Sequence, residues 1–448
     1  MRSTSLDSSD DLRPRASIPR EVLALAAVAF SVALGFGIVA PALPLFTQEF
    51  GVGTTAAGAV VSAFAAMRLI VGPFVGRFVD RMGERSALIA GLAVVALSSL
   101  LAGLSQTYPQ LLVLRAIGGV GSAAFTVAAT ALIIRVAAPE VRGRAMSVQQ
   151  SGFLIGGIVG PAAGGAVLGL SVRAPFFLYA GSLTLACLIA LLMLPSVRRK
   201  RDEDRSEAVD AATNRVPSAE STPARESDVT EPAAVATAHP GPTRLRDALR
   251  QPGYRAALGA QFSVGMAVFG IRSAIVPLLL AGIGTPEQWI GGAFVVAALV
   301  QAALMWPAGK IVDTVGRRAA LVGGSAITTV GLAMMGFGQS TWYVILALAV
   351  VGVGAAFIGP AAGALVGDTV PADRGRSGTV ISVFQMSGDV GAVAGPIIAG
   401  YLVDTVSYPA AFGFGAVVIA VAALLGLQAP NRVPSTAPDN RTQSAASG

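Results

Sequence analysis

Gly76-Arg77-Phe78-Val79-Asp80-Arg81-Met82-Gly83-Glu84-Arg85 returns 233 positions later as Gly309-Lys310-Ile311-Val312-Asp313-Thr314-Val315-Gly316-Arg317-Arg318. Each copy is a short charged stretch between two long apolar runs. A helix that ends at a glycine, an acid one turn on, a second glycine and then a basic residue form a tight reversal on the solvent side of two lipid-buried helices. The pattern therefore predicts helix ends at Gly76 and near Gly309.

The flanking runs extend over most of the chain. Apolar stretches near 22-43, 57-76, 86-105, 111-134, 147-170, 175-195, 256-280, 288-308, 319-338, 343-366, 378-402 and 409-428 are each close to the ~20 residues that carry a helix across hydrocarbon. The expected fold is an all-α polytopic membrane protein of twelve spans, numbered 1 to 12 in that order. Of the 448 residues, 54% are hydrophobic and 13% charged, which a water-soluble surface would not tolerate. The net charge of +7 does not call for a nucleic-acid partner. Among the loops between spans, basic residues cluster in the short ones on the side of the two charged turns (Arg77, Arg81, Arg85, Arg135, Arg142, Arg144, Lys310, Arg317, Arg318, Arg374 and Arg376), beside Asp80, Glu140, Asp313 and Asp373. Only Arg173 lies in the opposite loops. That asymmetry places the charged turns and both termini in the cytosol of a cell membrane.

Residues 1-20 lack the apolar region of a signal peptide and read as a cytosolic tail. Residues 196-255 open with Arg198-Arg199-Lys200-Arg201 and continue in mixed charge, Pro, Ser and Thr, a composition expected of a disordered linker. Within them, Thr243 to Gln251 has the spacing of an amphipathic turn or two on the membrane surface. The linker separates bundles at 21-195 and 256-428, and a tail follows at 429-448. The bundles repeat one another: Pro44-Leu45 returns as Pro277-Leu278, Gly119-Val120-Gly121 as Gly352-Val353-Gly354, and Pro139 to Arg144 as Pro371 to Arg376. Two similar halves that rock about a site held between them suit alternating access.

On these residues the chain resembles the major facilitator superfamily of secondary transporters, whose loop 2-3 signature is similar to Gly76 through Arg85. Glu84 and Thr314 stand where that pattern is usually basic. The resemblance implies that Asp80 and Asp313, with Gly76, Arg81, Gly83, Arg85, Gly309, Gly316 and Arg318, latch the cytosolic side by facing helix N-termini of the opposite half. In span 5, Gly156, Gly160, Pro161, Gly164 and Gly165 resemble the antiporter motif of the drug:proton exporters, with Ser147 at its usual Gly start. Gly391, Gly395 and Gly400 give span 11 a similar face, so close helix packing is an equal reading. Gly35 through Pro44 is similar to the first-helix signature of twelve-span drug exporters, without the embedded acid of those that move cations.

Four charges fall inside apolar runs: Arg68, Arg115, Arg272 and Asp389. Arg115 opens a stretch, through Gly121, resembling the family's proton-transfer motif in span 4, but it could snorkel to the outer interface, as could Arg272. Arg68 lies about nine residues, ~14 Å, from its cytosolic helix end, and Asp389 about twelve residues, ~18 Å, from its own. Every other acid is in a loop, tail or interface, which leaves Asp389 as the candidate coupling carboxylate. Spans 2 and 11 are neighbours in the family, so Arg68 is its candidate partner; a static bridge is the alternative.

Phe36, Phe269 and Phe384, with Arg272, are candidate substrate contacts, and packing is the alternative for each. The single Cys187 and single His239 exclude a disulfide framework and a His-based metal site. No nucleophile with a His base and no membrane pair of carboxylates suggests an enzyme. The expected activity is proton-coupled efflux of a small amphipathic molecule by a monomer, powered by the proton gradient without a cofactor. Symport, facilitated uptake or a non-transporting receptor are the alternatives.

Overall fold

The computed structural model describes residues 19-137, 141-194, 245-369 and 378-430. Among them every regular element is helical, and twelve helices are long and apolar enough to cross a membrane. Span 1 runs Arg20–Val39 and, after a break at Ala40 and Pro41, Ala42–Gln48. Spans 2 to 6 are Thr54–Met82, Glu84–Gly103, Tyr108–Val136, Arg142–Leu168 and Ala174–Met193. Span 7 is Pro252–Ser263, a π-helical segment Val264–Ile271, and Arg272–Gly282. Spans 8 to 12 are Glu287–Thr314, Arg317–Gly336, Thr341–Thr369, Gly378–Thr405 and Tyr408–Gly426. Antiparallel succession gives the molecule a charged face, which carries the turns at Gly83 and Gly316, and an opposite face, which carries Thr54 and Thr405.

The two charged stretches are mostly helix. Span 2 continues through Gly76 to Met82 and reverses at Gly83 alone, whose φ of 81° suits a glycine; span 8 continues through Gly309 to Thr314 and reverses at Gly316, with φ of 109°. The expected helix ends at Gly76 and Gly309 are thus corrected. Twenty-nine residues at ~1.5 Å each exceed a ~30 Å hydrocarbon layer, so Arg77, Asp80 and Arg81 ride on turns of helix that project beyond it.

Spans 1 to 6 share one apolar core, centred on residues such as Leu25, Leu92, Leu132 and Phe176. Spans 7 to 12 form the second half, with a core around Ile271, Leu348 and Phe412 and another nearer the charged face around Tyr254, Leu321 and Leu365. Within the stretch read as linker, Leu245–Arg250 is a short helix. It turns Ala248 into that last core, packs Leu245 against its edge and leaves Leu249 exposed, so it docks on the bundle through one face. The rest of the linker to residue 244, both tails beyond 19 and 430, Glu140, Asp373, Arg374, Arg376 and the side chain of Arg142 lie outside the described residues.

Candidate functional site

Spans 2 and 11 lie antiparallel along the seam between the halves, and their contacts form a series. At the opposite face, Asp404 accepts hydrogen bonds from the amides of Thr54 (2.9 Å) and Thr55 (2.8 Å) and from the Thr55 hydroxyl (2.6 Å). Next, Gly400 lies against the Thr54 and Thr55 backbone, Gly58 against Pro396, and Ser62 donates to the Val393 carbonyl at 2.7 Å. Arg68 Nη2 then meets Asp389 Oδ1 in an ion pair. Beyond it the seam parts: a Cβ placed on Gly72 or Gly76 would meet nothing within 4 Å. The side chains of Arg68 and Asp389 remain 38% and 19% exposed, so the pair sits at the closed end of an opening from the charged face.

The second seam repeats the gradient. Gly165 of span 5 and Gly291 of span 8 touch backbone to backbone, and Gly169 approaches Gln288, while Gly309 near the charged face is open. Of the motif glycines in span 5, only Gly165 faces the other half. Gly156, Gly160 and Gly164 pack on Phe30, Leu34 and Ile38 of span 1, four residues apart on both helices. Pro161 approaches Gly37 on that same interface. Gly391 and Gly395 pack span 11 on Phe262 and Met266 of span 7 in the same manner. Close packing within a half therefore accounts for most of the motif.

Arg115 is 5% exposed and does not reach the opposite face; its guanidinium stacks on the Phe64 ring at 4.7 Å, beside Tyr179. Phe64 in turn tilts against Phe36, whose ring is partly open at 6.4 Å between centroids. Arg272 follows the π segment and lies 5.8 Å from the Phe294 ring. Both arginines have an Nε without a hydrogen-bond partner among the described residues. Arg115 is thus held inside its bundle by an aromatic face, whereas Arg272 is only partly buried beside its ring. Phe269 is more than half exposed on the π segment, whereas Phe384 is half-buried against the core around Tyr254. The four candidate cavity residues are not one cluster.

The charged turns bind mostly within their own halves. Arg85 donates to the Leu191 carbonyl at the end of span 6, at 2.6 Å, and Glu84 pairs with Arg135 at 3.0 Å. In the second copy, among the described residues, it is Arg317 and not Arg318 that pairs with an acid, Asp368. Asp80, Arg81 and Asp313 are exposed and form no ion pair with another described residue. Among the described residues, neither Asp80 nor Asp313 has an ion-pair partner in the opposite half.

Sequence reasoning passed over Asp404, Thr54 and Thr55 because an acid at a helix end is ordinarily a solvated interfacial charge. One signal was present: span 2 starts at Gly53-Thr54 with no acid or capping side chain of its own. The Glu84 pair was also readable, since Arg317 and Asp368 stand 233 positions after Glu84 and Arg135 (317 less 84, 368 less 135).

Two six-helix halves, closed along antiparallel spans at one face and parted at the other around an ion pair, define a multi-pass membrane protein. Residues 25–271 and 257–447 both match the family model of the Major Facilitator Superfamily, and the chain belongs to that family. It is 33% identical over 165 residues to multidrug resistance protein 2 of Bacillus subtilis, a match covering 37% of this chain and 41% of that relative. It is 33% identical over 170 residues to multidrug resistance protein 1 of the same organism, covering 38% and 44%. The chain thus spans about two fifths of the length of these curated relatives. Among solved structures, a bacterial homolog of the human lysosomal transporter Spinster, in an inward-facing and occupied conformation, has a similar fold. Its TM-score is 0.67 at 15% identity, with 92% of this chain and 97% of that one covered.

Proposed function

We propose that this protein is a secondary active transporter that exports a small amphipathic molecule in exchange for protons, working as a monomer in the cell membrane with its charged face in the cytosol. The observation that carries the reading is the Arg68–Asp389 ion pair, placed where the seam between the halves opens. A carboxylate at that point is reached by water and protons from one face, while the contacts from Ser62 to Asp404 seal it from the other. Rocking the halves parts those contacts, draws Asp389 away from Arg68 and opens its carboxyl to the second side; the return stroke re-forms the pair. One acid then serves each side in turn. The excess of basic residues on the charged face supports its cytosolic placement, and the multidrug relatives support export.

The exporter reading also suits the lining. Phe36 offers a partly open aromatic ring backed by Phe64 and the Arg115 cation, which together suit a neutral, zwitterionic or anionic amphipath more than a simple cation. A proton gradient supplies the energy, and no cofactor is called for. Uptake into everted membrane vesicles, with and without a protonophore, tests the proposal. Accumulation of an aromatic amphipath that collapses with the protonophore is the expected result. Flux unaffected by the protonophore would replace antiport by facilitated transport.

A further inference from the structure

We propose that Asp404 is the latch that holds the opposite face closed, and that it forms one of two mutually exclusive latches at the two ends of the same helix pair. The inference rests on the alternating-access reading. Span 2 begins without a cap of its own: Gly53 has no side chain, Thr54 and Thr55 supply no capping bond to their own helix start, and its first turn holds no acid. Its unsatisfied amides are bound in trans by a residue 350 positions away, across the boundary between the halves. Asp404 takes both amides and the Thr55 hydroxyl, a full set of charge-assisted bonds to one carboxylate at the positive end of a helix. Gly53 leaves the room for it, since a Cβ there would lie 2.9 Å from Asp404 Oδ2.

Because spans 2 and 11 are antiparallel, the arrangement has a counterpart at the other end. Asp404 is one residue from the C-terminal end of span 11 and meets the N-terminal end of span 2. Asp80 is two residues from the C-terminal end of span 2, on the side where span 11 starts. Gly58, Ser62, Gly72, Gly76 and Asp80 recur at helical spacing along one stripe of span 2, closed up to Ser62 and open from Gly72. Each helix thus carries an acid near its C-terminus that is in line with the N-terminus of its partner. In this conformation Asp404 is bound and Asp80 is free of any ion pair with a described residue. A rocking motion that brings Asp80 to span 11 pulls Asp404 from span 2, so one charge–dipole contact is exchanged for another and neither closed state is left without one. The seam of spans 5 and 8 lacks this device: Ser171 stands 233 positions before Asp404.

The test is cysteine accessibility in the full-length chain, in a Cys187→Ser background. Ser62→Cys reports opening at the opposite face, and Gly72→Cys reports the charged face, where a side chain meets nothing. With a membrane-impermeant maleimide, adding Asp404→Asn is expected to raise labelling of the Ser62→Cys reporter by about fivefold, the effect of ~1 kcal/mol at a helix N-terminus. Labelling of the Gly72→Cys reporter should fall, and Asp404→Glu should restore much of the parent pattern. Unchanged labelling of both reporters in folded Asp404→Asn overturns the latch. If that variant fails to insert, Thr55→Val decides: a smaller rise at the Ser62→Cys reporter supports the latch, and parent-like labelling overturns it. Labelling needs no substrate, so a chain that shifts its reporters yet accumulates nothing in vesicles would disprove the transport reading alone.

Discussion

Glu84 and Arg135 hold each other through bonds of 3.0 and 3.1 Å from one guanidinium nitrogen to both carboxylate oxygens, joining the start of span 3 to the end of span 4. Arg317 and Asp368 join the start of span 9 to the end of span 10 at the same two positions of the repeat, with the charges exchanged. The cross-link has kept its place in both halves while its polarity differs. The two versions are not equivalent, because an acid at a helix N-terminus and a base at a C-terminus agree with the helix dipoles, and the reverse opposes them. The double exchange Arg317→Glu with Asp368→Arg is therefore expected to raise thermal stability in detergent, by roughly 0.3–1 kcal/mol for each helix end. Arg317→Ala alone should lower it by leaving Asp368 unpaired. A double exchange less stable than either single change would show that the pair's local packing outweighs the dipoles.

Much of this was legible in the chain because lipid permits few alternatives. Runs such as 86-105 and 175-195 coincide closely with Glu84–Gly103 and Ala174–Met193, since apolar length alone sets a spanning helix. Arg68 and Asp389 could be matched by depth, as two charges that hydrocarbon would not leave single. Helix extensions beyond hydrocarbon were not legible: nothing in apolar length tells whether Gly76 ends a helix or is passed through. The π segment Val264–Ile271 also has no signature in its residues, because it depends on how span 7 fits the glycine face of span 11, where Gly265 meets Gly388. Asp404 was missed for a related reason, as its meaning depends on which helix start lies opposite.

The glycines along span 2 should respond with opposite signs. Gly58→Val drives a side chain into the Pro396 backbone and is expected to open the opposite face. Gly76→Val fits the present conformation, where nothing lies within 4 Å, and should instead obstruct closure at the charged face. Impermeant labelling from each side measures both; movement of the two variants in the same direction would show that the stripe is not a seam that closes end by end.

Asp80→Asn and Asp313→Asn remove exposed charges that form no ion pair with a described residue, so both variants should fold, insert and keep this conformation. Their effect belongs to the state in which the charged face is closed, each losing a contact worth up to ~2 kcal/mol when partly buried. Cysteine reporters on the charged face should therefore label faster than in the parent. Parent-like labelling together with normal transport in both variants would remove these acids from the gate.

Arg115 and Arg272 are held over Phe64 and Phe294, where a lysine keeps the charge but loses the flat stacking surface. Arg115→Ala and Arg272→Ala should impair transport more than Arg115→Lys and Arg272→Lys, because a point charge still attracts an anionic or polar group. Arg115, which is the more enclosed and backs the Phe36–Phe64 pair, should show the larger loss. Equal transport by all four variants would reduce both arginines to packing.

Asp389 separates the coupling reading from a static one. A bridge whose only task is to fix the two halves has no need to stand where the seam opens, with Arg68 more than a third exposed. A coupling carboxylate does, because protons must reach it from one side in each conformation. Asp389→Asn mimics the protonated acid, so it should abolish proton-driven accumulation while leaving substrate exchange or downhill flux in place. Arg68→Ala should also uncouple transport, since Asp389 then keeps its carboxyl but loses its counter-charge. The exchange Arg68→Asp with Asp389→Arg completes the set: it restores an ion pair across the same seam but moves the acid to span 2. Recovery of folded protein without recovery of proton-driven accumulation would place coupling in the carboxylate of span 11. Full accumulation by Asp389→Asn would end the coupling assignment, and loss of folded protein in that variant, rescued by the exchanged pair, would make the bridge a structural fastening between the halves.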